Sequence, residues 1–509
     1  MMYRFTLILF AATLVFAQEE RPRASEPPQK PVPPESSVTT KHELALGGKT
    51  FKYTATAGTL LIRDDEDRPN ASVFYVAYAA DDVADLKTRP VTFLFNGGPG
   101  SASLWLHMGS VGPVRVITAS PEATGPGPYQ VLPNEHSLLD KSDVVFIDAV
   151  GTGYSRPVGR AAEKDFAGVD QDIRAFARFI ERYVSVNQRW NSPKYLIGES
   201  YGTLRSAGLA AALENDGISL NGIVLVSSIL NYGVRQPGTD NVFIGNLPSY
   251  AAIAWQHNKL AKKPVDLKKY LDEVRAFARG PYAEALAQGH DLPAAQFDTV
   301  AAKVAAYTGL RAQYVKDSNL RIDPSRFRKE LLREEHLILG RYDARFEGTD
   351  VDAAGDSPGY DPSSTGITGA YVSALHDYLS RELKYQTQDT YRPRGANLSQ
   401  NWDWHHRPPS AGGPAAGPGR AQLQPWVGAD LADAIRKNPR LKVLSVNGYY
   451  DLATPFFLTE TDLSHMLLEP KLRKNVEFTY YPSGHMIYLN IDALKQFKAD
   501  LAAFYDSTR

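Results

Sequence analysis

The stretch KYLIGESYGTLRSAGLAAAL, Lys194 to Leu213, decides the fold. It opens as an apolar run suited to a buried strand and closes as an Ala/Leu-rich run suited to a helix. Between them, Gly198-Glu199-Ser200-Tyr201-Gly202 fits G-x-S-x-G, the pattern of a serine held on a sharp strand-to-helix turn. Such a turn needs glycines because no side chain fits beside it. The pentapeptide alone is weak evidence, and a glycine-flanked turn serine is the bland reading. The strand before and the helix after give it context. Glu199 raises a question, because an anion beside a nucleophile opposes the negative charge that acyl transfer builds up.

Outward from this stretch, VTFLFNGG, DVVFIDAVG and NGIVLVSS are short, nearly continuous apolar runs that read as strands buried on both faces. In DFAGVDQDIRAFARFIERYV, the residues Phe166, Val169, Ile173, Phe176, Ile180 and Tyr183 recur every three or four positions, the stripe of an amphipathic helix. Strand alternating with helix implies an α/β protein with a mostly parallel central sheet and helices on both faces. Ahead of it, KTFKYTATAGTLLIR and ASVFYVAYAADD alternate apolar and polar residues around a DDEDRPN turn and predict a β-hairpin. From about Ile229 to Pro439 the rhythm is lost among helical stretches such as PVDLKKYLDEVRAFAR and Gly/Pro-rich loops. It resumes in LKVLSVNGYYD and NVEFTYYPSGH and ends in the helix IDALKQFKADLAAFY. The expected organisation is therefore a core from 41–228 and 440–509, interrupted by a large cap insertion at 229–439.

Met1 to Arg4 is a short positive segment, Phe5 to Phe16 is apolar, and Val15-Phe16-Ala17 precedes Gln18. This is the layout of a signal peptide over 1–17, since the apolar run falls well short of the ~20 residues that span a bilayer. Residues 18–40 are rich in Pro, Ser and charge and read as a flexible leader. An exported chain with no cysteine has no disulfides, which points to a bacterial periplasm or extracellular medium. A formal net charge of -1 gives no electrostatic reason to expect nucleic acid or an acidic membrane surface.

A serine hydroxyl is a poor nucleophile until a base removes its proton, so a histidine oriented by a carboxylate is required. In a strand-turn-helix enzyme of this kind the order is Ser, acid, His, each after a strand. Asp451 follows VLSVNGYY and His485 follows FTYYPSG, both where that order requires. In FLFNGGPGSAS, two glycines and a proline after a buried strand leave backbone N–H groups free to face a reaction centre. The N–H groups of Gly98 and Tyr201 are the natural pair for an oxyanion, at ~3 kcal/mol each. No cofactor or metal is expected. In NWDWHHRPP the adjacent His405 and His406 are poorly spaced for one ion, and Trp402 and Trp404 read as aromatic anchors that could line a pocket.

Taken together, NGGPGS, GESYG, FIDAVGTGYSRP, NGYYDLATP and GHM, in that order, resemble the motifs of the serine carboxypeptidase family. The resemblance runs from the hairpin to the last helix. It implies an α/β-hydrolase fold with an inserted cap and removal of single residues from peptide C-termini. It also implies a triad of Ser200, Asp451 and His485, an oxyanion hole at Gly98 and Tyr201, and a substrate-carboxylate site at Asn96, Gly97 and Glu199.

That site answers the question of Glu199. A charged Glu199 about 6 Å from the oxyanion would oppose it by ~3 kcal/mol at an effective dielectric near 20. A protonated carboxyl carries no such penalty and can donate a hydrogen bond to a peptide's terminal carboxylate. Activity is therefore expected to be greatest at mildly acid pH. The sequence also departs from the family pattern. Ser101 stands where relatives usually have Cys, and Ser110 where a Glu that helps bind the carboxylate is usual. After GESYG, Thr203-Leu204-Arg205 stand where small residues are usual; Arg205 reads most simply as solvated, with compensation of charge near Glu199 as the alternative. An esterase or acyltransferase using the same triad is the competing reading, followed by a non-catalytic peptide-binding protein.

Overall fold

The computed structural model describes residues 29–408 and 421–508, so the expected signal peptide and most of the expected leader lie outside the described residues. The central sheet begins with three antiparallel strands, β1 (Ser37–Leu46), β2 (Lys49–Arg63) and β3 (Pro69–Ala80). The last two are the predicted hairpin. The strand before them was not foreseen: β1 begins inside the segment read as leader, and ahead of it the Lys30 N–H bonds to the Gly159 carbonyl at 2.8 Å. Polar, proline-rich composition there hid a β-edge whose exposed face has no need of apolar residues.

The apolar runs form β4 (Val91–Phe95), β5 (Asp143–Ile147), β6 (Lys194–Glu199), β7 (Gly222–Val226), β8 (Lys442–Gly448) and β9 (Val476–Tyr481). The order across the sheet is β1-β2-β3-β5-β4-β6-β7-β8-β9, with every pairing from β5 onward parallel. Side chains alternate across it. Phe93, Phe95, Leu196, Ile223 and Val443 face one layer, packed under α2 (Val169–Val186) and α3 (Tyr201–Asn215). Leu94, Ile197, Val224 and Leu444 face the other layer, with the short helix α1 (Leu104–Gly109). This two-sided burial is why the strands read as continuous apolar runs rather than alternating ones. The fold is that of an α/β hydrolase.

Within 229–439, the helices α4 (Asn241–Gln256), α5 (Leu267–Phe277) and α6 (Ala294–Thr308) bury their own apolar cluster. Tyr450, Leu452 and Phe456, just past β8, belong to the same cluster and tie it to the sheet. Two further helices from this stretch pack on the sheet itself: α7 (Pro362–Asp377) on the Leu94 side and α8 (Gly428–Lys437) beside α3 on the other. The final helix, α9 (Ile491–Ser507), completes the Leu94 side.

Candidate active site

Parallel strands deliver their carboxyl ends to one edge, and there the singled-out residues collect. Ser200 sits on the elbow between β6 and α3 with φ +60°, a left-handed conformation that side-chain-bearing residues adopt only under constraint. The flanking glycines follow from close approach. A Cβ on Gly198 would lie 2.2 Å from the Gly202 carbonyl oxygen, so the elbow closes only around hydrogen. At Gly97, a Cβ would come within 2.4 Å of the Tyr201 nitrogen, because the NGGPG loop presses directly on the elbow. That contact puts the backbone of this loop beside the backbone of Tyr201.

Asp451 and His485 follow β8 and β9, which pair in register up to Gly448 and Tyr481. Both side chains are buried, and the Nδ1–H of His485 donates to Asp451 Oδ2 at 2.7 Å. Asp451 also accepts from the Ala453 and Thr454 N–H groups at 2.7 and 3.0 Å and from the Thr454 hydroxyl at 2.7 Å. Burial alone would push this carboxyl up, but His485 and these donors outweigh it and hold it below its ordinary value. Burial pulls the imidazole down, and the charge and hydrogen bond of Asp451 overcome that and raise it. The backbone of His485 is gripped from both sides: its N–H donates to the Tyr342 carbonyl at 2.6 Å, and the Ser227 hydroxyl donates to its carbonyl at 2.6 Å. Tyr342 belongs to the insertion, and its ring centre lies 5.2 Å from the imidazole.

The second corner lies one strand over. Phe95 of β4 pairs with Gly198 of β6, so the next residues, Asn96 and Glu199, emerge abreast. Asn96 Oδ1 accepts the Leu106 N–H at 3.0 Å, which orients the amide so that Nδ2 donates to Glu199 Oε1 at 2.7 Å. The hydroxyl of Tyr488 donates to Glu199 Oε2, also at 2.7 Å. Burial pushes the Glu199 carboxyl up to about 7 against the opposing influence of His485, Tyr488 and Asn96. Ser110 turns away and donates to the Leu106 carbonyl at 2.5 Å.

A cavity of about 230 Å³ is lined by residues of both corners, Ser200 and His485 together with Asn96, Gly97, Gly98 and Glu199. Trp105, Ile367 and Met486 add apolar wall.

Two sequence expectations change. Arg205 is not solvated: it is fully buried, with Nε 2.7 Å from Asp172 Oδ2 and Nη1 donating to the Asn96 carbonyl at 2.7 Å. Its guanidinium lies 4.1 Å from the centre of the Phe176 ring. The pair Asp172–Arg205 therefore braces the backbone of Asn96 from behind, linking α2, α3 and the loop after β4. Nor do Trp402 and Trp404 line the cavity. They pack edge-on to Tyr201 at 5.4 and 6.2 Å, on the far side of the elbow. His405 and His406 diverge, one to Asp403 and the other between Asp170 and Asp430. Finally, Ser101 meets the insertion by backbone pairing: its neighbours Gly100 and Ala102 bond to Gly395 at 2.8 Å and Pro393 at 3.1 Å.

Sequence reasoning missed Tyr488, Thr454, Tyr342 and Asp172. Only Thr454 carried a usable signal, three residues after an acid that needs local donors. The others are aromatic or acidic residues in ordinary amphipathic contexts.

The elbow, the buried Asp–His pair and the parallel sheet define a hydrolase of the α/β class. A sequence profile described as serine carboxypeptidase matches residues 49–305, and the chain belongs to that family. It is 27% identical over 204 residues to serine carboxypeptidase-like 29 of Arabidopsis thaliana, covering 39% of this chain and 40% of that protein. To the pheromone-processing carboxypeptidase KEX1 of Cryptococcus gattii it is 30% identical over 154 residues, 29% of this chain and 22% of the relative. These matches span less than half the length of each curated relative. The fold is similar to the crystal structure of a prohormone-processing carboxypeptidase from Saccharomyces cerevisiae, with a TM-score of 0.54, 14% identity, and coverage of 89% of this chain and 91% of that one.

Proposed function

We propose that this chain is an exported, periplasmic or extracellular, serine carboxypeptidase that releases C-terminal residues from peptides through an acyl-enzyme on Ser200. His485 takes the proton of the Ser200 hydroxyl as its oxygen attacks the scissile carbonyl, and Asp451 holds the imidazole in the tautomer that makes this possible. The N–H groups of Gly98 and Tyr201 receive the oxyanion. His485 then gives its proton to the departing amine, and water enters to hydrolyse the ester. Peptides are the substrates this site would take; the reaction needs no cofactor or metal.

The observation that carries the reading is the Glu199 carboxyl, buried beside the nucleophile, raised to about 7 and hydrogen-bonded by the uncharged donors Asn96 and Tyr488. A simple esterase gains nothing from it. A carboxypeptidase gains a neutral donor for the substrate's terminal carboxylate, alongside the Asn96 amide and the Gly97 backbone. His485 and Glu199 titrate as a coupled pair, since each feels the other's charge. The reactive arrangement is a neutral imidazole with a protonated Glu199. A bound carboxylate favours it because two adjacent carboxylates cannot both remain ionised without cost.

The test is a panel of blocked dipeptides, each offered as free acid and as C-terminal amide, across pH. Cleavage of the acids alone, strongest below neutrality, is the expected result. Equal turnover of the amides or of simple esters would favour the esterase or acyltransferase reading, and failure of a fluorophosphonate to label Ser200 would favour a non-catalytic binder.

A further inference from the structure

Residues 391–395 of the insertion bring Arg394 to the cavity and are pinned by backbone bonds on both sides. Arg392 exchanges bonds with Gly153 at 2.7 and 3.0 Å, Pro393 accepts from Ala102, and Gly395 donates to Gly100. The two arginines of this segment have different fates. Arg392 ion-pairs with Glu163 at 2.7 Å. Arg394 makes no ion pair among the described residues; it is exposed and lines the same cavity as Ser200, Glu199 and His485. A pinned backbone under an unpaired guanidinium at the rim of a reaction centre is the arrangement of a subsite awaiting an anion.

The charges around it point the same way. Arg341 lies 5.3 Å from the ring centre of Tyr342, and Arg235 donates to the Ala453 carbonyl at 2.7 Å. Neither has a carboxylate partner among the described residues. The carboxylates that line the cavity or bond to its walls are already engaged. Glu199 is bonded by Asn96 and Tyr488, Asp451 by His485 and Thr454, and Asp361 by Ser363 with Arg328 3.9 Å away. Among the described residues Arg394 is the one arginine that lines the cavity, and its guanidinium is the uncompensated positive charge presented there.

We propose that Arg394 is a specificity subsite that selects substrates whose C-terminal residue carries a side-chain carboxylate, Asp or Glu. This rests on the carboxypeptidase reading above. The direction follows from the loop. Asn96 and Gly97, at its start, take the terminal carboxylate, while Gly100 to Ala102, further along it, carry the Arg394 segment. A leaving residue anchored at the first point extends its side chain along the loop towards the second. The guanidinium fork matches a carboxylate with two parallel hydrogen bonds, and a neutral amide only with one.

The experiment compares N-blocked Phe-Glu, Phe-Gln, Glu-Phe and Gln-Phe on the full chain. The wild type should prefer Phe-Glu to Phe-Gln, and Arg394→Gln should lower that ratio of kcat/KM by roughly tenfold, with Arg394→Lys retaining part of it. An equal fall for Phe-Glu and Phe-Gln would mean that Arg394 serves the terminal carboxylate or the fold, and would overturn the proposal. So would a Glu preference confined to Glu-Phe over Gln-Phe. If the wild type cleaves none of the four, the carboxypeptidase reading itself fails, and the subsite is read without turnover by protection of Ser200 from a fluorophosphonate. Free glutamate should then protect at roughly tenfold lower concentration than glutamine, a difference that Arg394→Gln abolishes; equal protection overturns the subsite as well.

Discussion

Two corners of one sheet edge each bury a carboxylate, and the two acids behave in opposite ways. Asp451, after β8, is held below its ordinary value, whereas Glu199, after β6, is pushed up to about 7. Desolvation acts on both in the same direction. The difference lies in the partners. Asp451 faces an imidazole that can carry charge, together with two backbone N–H groups and a hydroxyl. Glu199 feels the same imidazole through its charge alone, and its hydrogen bonds come from an amide and a phenol, which stabilise an anion less than a directly bonded cation does. Burial sets the size of the stakes, and the charge of the nearest partner decides which protonation state wins.

The contrast can be broken or sharpened by experiment. Ser200→Ala removes the nucleophile proposed above, and turnover of a blocked dipeptide should fall by roughly four to six orders of magnitude; a small loss would make the whole arrangement irrelevant to chemistry. Asp451→Asn leaves the imidazole in the wrong tautomer and should lower kcat by roughly 10⁴-fold. A loss of that size from Glu199→Gln instead would erase the distinction between the corners.

A third buried acid tests the role of a permanent counter-charge. Asp172→Ala strands the Arg205 guanidinium in the core, and urea unfolding should show a loss of about 3–5 kcal/mol. If stability is unchanged, the brace behind Asn96 is not what holds it. Glu199→Gln keeps a neutral donor at all pH values, so it should flatten the alkaline limb of kcat/KM while lowering the acid-side rate by less than roughly tenfold. An unchanged pH profile would count against a protonated Glu199. The smallest effect belongs to Tyr488→Phe. The phenol donates to the ionised form, so its loss raises the Glu199 pKa and should move the alkaline limb upward by roughly half a unit to one unit. A downward shift would mean that the phenol accepts rather than donates.

Much of the sheet was legible because burial on both faces leaves an unbroken apolar signature, as in VTFLF and GIVLV. The edge strand Ser37–Leu46 was not legible, because one exposed face lets polar residues and threonines form a strand. In the site, Ser200, Asp451 and His485 could be singled out because local chemistry constrains their neighbours: glycines at the elbow, a strand before each acid and base. Arg205 was misread because nothing beside it in sequence reveals Asp172, which arrives from another helix. Tyr342 and Arg394 come from the insertion, where no periodicity marks which turn reaches the sheet edge.

By itself the order of residues determined the alternation of strand and helix, the strained elbow around Ser200 and the chemical types available to act there, because each depends on neighbours a few positions apart. Only the tertiary structure decided that Tyr488 and Asn96 meet Glu199, that Arg205 is buried, and that an unpaired Arg394 borders the cavity. Those outcomes are set by contacts between segments hundreds of residues apart, where burial and the charge of whatever packs alongside determine protonation and binding.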